Sequence, residues 1–82
     1  MMIAKIKVTL KKGISDPQGQ AIKGSLQTLG FGNVQDVRVG KYIEILIDEQ
    51  EMKTAEEKVK EMCEKLLANP VIEDYTFEIT EV

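Results

Sequence analysis

The 82-residue chain has no histidine and no tryptophan, one cysteine, two prolines, two tyrosines and two phenylalanines. Each shortage removes a class of function. Without histidine, the commonest general base near neutral pH is missing. Cys63, with no histidine beside it, supplies too few ligands for a zinc site. A single cysteine also excludes an internal disulfide framework and fits a reducing compartment, so a cytoplasmic location is expected. No apolar run approaches the ~20 residues that span a bilayer. The opening "MMIAKIKVTL" lacks the apolar core and small-residue cleavage site of a secretory signal. A net charge of −3 argues against nucleic acid or an anionic membrane as a partner.

What is present describes an ordinary globular domain. Hydrophobic residues make up 43% and charged residues 30% of a chain long enough for one modest core, so residues 1–82 are read as a single domain. In "IAKIKVTL", Ala4, Ile6, Val8 and Leu10 alternate with Lys5, Lys7 and Thr9, the period of a strand with one buried face. Asp16 before Pro17 marks a helix start, since Asp accepts free N–H groups and proline at the first helical position loses none. Ile22, Leu26 and Leu29 follow at helical spacing, and Gly30 closes the helix.

"NVQDVRVGKYIEILID" is expected to give two strands around a Gly40-Lys41 turn, with Val37, Val39, Ile43, Ile45 and Ile47 inward. A second helix then starts at a Thr54–Glu57 capping box or a rival Asp48–Glu51 one. Its apolar stripe is Ala55, Val59, Met62, Leu66 and Leu67, and Asn69-Pro70 stops it. "DYTFEITEV" is a last strand with Tyr75, Phe77 and Ile79 inward. The order β-α-β-β-α-β predicts an α+β fold, a ferredoxin-like sandwich with a four-stranded antiparallel sheet and two helices on one face. That fold serves many functions and by itself decides none.

Catalytic motifs are scarce. "GFGNVQ" resembles a nucleotide-binding fingerprint only superficially, because it leads into a strand and not a helix. The carboxylates of "EEKVKEMCEK" read as a solvated helix face, with Glu56–Lys60 and Glu61–Lys65 in the supporting i,i+4 order. Cys63 flanks the apolar stripe and reads as a packing thiol. RNA-binding sandwiches stack bases on aromatics of their central strands. Here those outward positions are Lys5, Lys7 and Thr9 on one strand and Tyr42, Glu44 and Leu46 on the other, a poor stacking platform.

The first helix is unusually plain. Gln18, Gly19, Ile22, Ser25, Leu26 and Leu29 share its expected core side, and Gln20, Gly24 and Gln27 the opposite one; Lys23 is its one charge. Glycine inside a helix costs roughly 1 kcal/mol relative to alanine. Close packing accounts for Gly19 but not for Gly24, which points away from the core. The contrast with the charged second helix marks Gln20, Gly24 and Gln27 as candidate partner contacts. On the open sheet face, Ile3, Tyr42 and Leu46 lie among Lys5, Lys7, Arg38, Glu44 and Glu78, which makes self-association a reasonable expectation.

"DPQGQAIKGSLQTLGF", "VRVGKYIEI" and "CEKLLANPVIEDY" closely resemble the PurS family, the small subunits of phosphoribosylformylglycinamidine synthase. The resemblance runs through essentially the whole chain. It implies a non-catalytic subunit, inactive when isolated, that bridges a glutaminase (PurQ) and a large synthetase (PurL) and assists ammonia transfer between them. ATP and magnesium would serve the large subunit, with no cofactor or metal on this chain. The family also implies a homodimer or a dimer of dimers. The matching "DPxG" falls on Asp16, Pro17 and Gly19, and "VRxGK" on Val37, Arg38, Gly40 and Lys41. Asp16, Pro17, Gly19 and Gly40 have structural readings as cap, first-turn proline, close packing and turn. Arg38 and Lys41, which neither turn nor core requires, join the candidate contacts. The alternative is an ACT-like regulatory domain, which shares the element order and would bind an amino acid between two copies.

Overall fold

Met2, Ala4, Ile6 and Val8 are all buried on one side of strand β1 (Met2–Leu10), as their alternation predicts. In a computed structural model that describes residues 1–82, β1 is the middle of the sheet. It is followed by α1 (Pro17–Thr28), β2 (Gly40–Ile47), α2 (Met52–Met62), which continues into a π-helical turn over Cys63–Leu67, and β3 (Glu73–Glu81). The sheet has three strands in the order β2-β1-β3, and β1 is antiparallel to both neighbours. Ile6 therefore stands between Ile43 and Phe77. Val59 and Cys63 of the second helix join Ala4, Ile6, Val8 and Ala68 in the core, flanked by Ile43, Ile45, Leu67, Tyr75, Phe77 and Ile79. Tyr75 and Phe77 stack with centroids 6.4 Å apart.

The expected ferredoxin-like sandwich is corrected in its sheet, which has three strands and not four. Residues 33–39 pair with no strand, and the chain passes straight through Gly40 into β2 without a hairpin. Gly40 lies opposite Thr9 and lacks the positive φ that a turn would need. Its glycine is required by proximity, since a Cβ there would sit 2.2 Å from the Val8 carbonyl oxygen. The N–H groups a strand would use are partly taken: Val37 donates to the Asp36 side chain, and Val39 donates to Asp16. Both edges of β1 are already occupied, by β2 and β3.

The helices also depart from expectation. α2 is preceded by Glu51, whose side chain makes no cap bond, so neither expected capping box forms. Glu49, just ahead, is tied instead to Lys58 at 2.7 Å. The π turn rotates the end of the stripe: Cys63 is fully buried, whereas Leu66 is 82% exposed. α1 begins with Asp16 as cap and Pro17 in its first turn and is followed by Gly30 at φ 103°, as read from the sequence. It does not, however, lie on the sheet. Beyond its first turn it makes no extensive contact with any strand or with α2, and Ile22 and Leu29 are 43% and 72% exposed. One helix, not two, covers the sheet face.

Candidate functional site

The α1 arm departs from the sheet at Asp16, which is 8% exposed. One carboxylate oxygen accepts the Gly19 N–H at 2.9 Å and the other accepts the Val39 N–H at 2.8 Å. The first bond caps α1; the second ties that cap to the strand entering the sheet. These two donors, Val39 first, hold the Asp16 carboxyl below its ordinary pKa against the opposing effect of burial. Gly19 is buried at the same junction, where a Cβ would meet the Val37 carbonyl oxygen at 2.2 Å. Asp16, Pro17, Gly19 and Gly40 thus carry the structural roles of cap, first-turn proline and close approach, with Gly40 in a strand and not a turn.

Arg38 and Lys41 are engaged within the chain. The Arg38 guanidinium donates to the Leu10 carbonyl, which places it at the end of β1 and off the open sheet face. Lys41 Nζ donates to the Leu67 carbonyl at 3.2 Å and lies 4.0 Å from Glu73. Both cations fasten the entry of β2 to neighbouring elements. Sequence reasoning missed these bonds because their partners are backbone oxygens distant along the chain.

Gln20, Gly24 and Gln27 are exposed on α1. Nothing lies within 4 Å of where a Gly24 Cβ would be. Gln20, Gly24 and Ser25 help line a shallow depression with Ala21, Thr28 and Leu29. A second exposed surface is the open sheet face, where Tyr42 and Leu46 stand out and the Tyr42 hydroxyl donates to Glu44 at 2.9 Å. That bond, with partial desolvation, raises the tyrosine pKa.

Neither surface brings reactive groups together. No three Cys, Asp or Glu side chains gather as metal ligands, and burial, followed by the charge of Glu64, pushes the Cys63 thiol up and disfavours its nucleophilic form. No helix is long and apolar enough to cross a membrane.

Comparison with known proteins identifies the family. The family model "PurS: Phosphoribosylformylglycinamidine (FGAM) synthase" matches residues 3–81. The phosphoribosylformylglycinamidine synthase subunit PurS of Bacillus subtilis is 49% identical over 82 residues, covering 100% of this chain and 96% of that protein. The crystal structure of Methanocaldococcus jannaschii PurS superposes with a TM-score of 0.87 at 44% identity, covering 100% of this chain and 99% of that one. A chain of the PurLQS structure from Thermotoga maritima superposes with a TM-score of 0.85 at 30% identity, covering 98% and 99%. A full-length match of sequence and fold means that this chain belongs to the PurS family of phosphoribosylformylglycinamidine synthase.

Proposed function

We propose that the chain is the non-catalytic small subunit of a phosphoribosylformylglycinamidine synthase complex, joining a glutaminase subunit (PurQ) to a large synthetase subunit (PurL) in the cytoplasm. The observation that carries this reading is the full-length similarity to a chain of the PurLQS assembly. The physical logic supports it. Ammonia released into water is protonated and diluted, so its transfer requires two active sites held in one sealed assembly. A subunit that supplies surfaces to that assembly needs no nucleophile, metal or cofactor of its own, and ATP and magnesium act on the large subunit. The exposed Gln20–Gly24–Gln27 face, with open space around Gly24, is the surface this reading assigns to contact with another subunit. The chain acts as a homo-oligomer, a dimer or a dimer of dimers.

Purified chain mixed with the glutaminase and synthetase subunits, glutamine and magnesium-ATP should co-elute with both in gel filtration. Alone, it should turn over neither glutamine nor ATP. Failure to associate with either subunit, or activity of the isolated chain, would overturn the proposal.

A further inference from the structure

α1 meets the sheet at one place. Beyond its first turn it makes no extensive contact with any strand or with α2. Its direction is therefore set where the chain leaves the sheet and where it returns. The way out runs through Gly13, at φ 85° with open space around it; the way back follows Gly30, at φ 103°, and Gly32, both equally open. Glycines free of neighbours pivot easily. Neither connection by itself holds a helix of twelve residues at a fixed angle.

What crosses the gap is the Asp16 carboxylate. Its Oδ1 accepts the Gly19 N–H at 2.9 Å in the first turn of the helix, and its Oδ2 accepts the Val39 N–H at 2.8 Å at the entry to β2. Val39 is itself fixed, because the next residue, Gly40, lies opposite Thr9 and close against the Val8 carbonyl. A cap needs only one of the two oxygens; the second is surplus to helix formation. One buried side chain thus joins helix to sheet through two charge-assisted bonds. The approach of Gly19 to the Val37 carbonyl acts as a stop, which decides how near the two segments come and pulls nothing together.

We infer that Asp16 is a latch that fixes the direction of α1 relative to the sheet, and that α1 pivots at Gly13 when the Val39 bond is absent. The inference concerns the chain by itself and goes beyond the proposed function, since it holds whatever the arm meets. Twelve helical residues make a lever of about 18 Å, so a swing of about 20° carries its tip about 6 Å. That is enough to misplace a contact surface. A surface aimed in advance also gives up less freedom on binding than one that must first be ordered.

Asparagine separates the two tasks of Asp16. It caps helices as well as aspartate does, so Gly19 keeps its acceptor. Its other terminal atom is an amide nitrogen, a donor that would face the Val39 donor. Spin labels on Leu29→Cys, at the tip of the arm, and Leu46→Cys, on the open sheet face, report the angle between arm and sheet. Both positions are exposed, and Cys63 is fully buried beyond the reach of the label. Labelled full-length chain is diluted into excess unlabelled chain, so that only distances within one chain are read.

The latch predicts one narrow distance distribution when Asp16 is present. Asp16→Asn should lose that peak to a broad distribution while keeping parental helicity by circular dichroism. A broad distribution with Asp16 in place, or an Asp16→Asn distribution as narrow as the parental one, overturns the latch. Hydrogen exchange of the unaltered chain gives a second reading. The Val39 amide should be protected together with that of Gly19, although residue 39 belongs to no strand. A Val39 amide that exchanges as fast as an open loop overturns the latch, even if Asp16→Asn fails to fold.

Discussion

At the scale of single residues, Asp16 does the most structural work. Its carboxylate caps a helix and anchors a strand entry 23 residues away. Its pKa is lowered in the folded chain, chiefly by the Val39 N–H and then by that of Gly19. A depressed folded pKa gives stability that is fully present above the unfolded value, about 3.9, and lost as pH falls through the folded value. Glu49 and Glu61, lowered by Lys58 and Lys65, contribute with the same sign. Asp16→Asn should therefore lower the urea midpoint at neutral pH and flatten the acid limb of the stability curve below about pH 4. Equilibrium denaturation between neutral and acid pH checks this. An unchanged acid limb would show that Asp16 is not the anchor.

At the scale of elements, the sequence was most legible where local chemistry decides. β1 and β3 follow their alternation, and α1 starts at Asp16-Pro17 and stops before Gly30 as its end signals dictate. The structural half of the candidate site, Asp16, Pro17 and Gly19, was legible for the same reason. Residues 33–39 were not, because their fate depends on distant groups: Asp16 takes the Val39 N–H, and Arg38 reaches back to Leu10. Gly40 next to Lys41 looks like a turn, yet its true constraint is the Val8 backbone on the adjoining strand. Nor does an apolar helix stripe reveal which molecule it packs on, so the departure of α1 from its own sheet left no local sign. The glycines provide a direct comparison. Gly40→Ala should destabilise the chain by about 1–3 kcal/mol, because the Val8 backbone must yield. Gly24→Ala, with open space around it, should stabilise by up to ~1 kcal/mol through helix propensity alone. Thermal unfolding distinguishes them, at about 4–8 °C per kcal/mol for a chain of this size. A Gly40→Ala chain that unfolds at the parental temperature would contradict the close approach at the β1–β2 pair.

At the scale of the whole molecule, the chain is a thin sheet with one covered face and one projecting arm. The arm has two exposed sides, an apolar stripe with Ile22 and Leu29 and a plain Gln20–Gly24–Gln27 side. The ratio of glutamine-dependent to ammonia-dependent synthesis in an assembly reconstituted from glutaminase, synthetase and this chain tests that account most directly. Omitting the chain should lower the glutamine-dependent rate by roughly a hundredfold, the scale of a lost alignment between coupled sites, and spare the ammonia-dependent rate of the synthetase. Gly24→Glu, which leaves the apolar stripe intact, should lower the same ratio without unfolding the chain. A ratio unchanged by omission, or an equal fall in both rates, would contradict the claim that this protein works by holding its partners together.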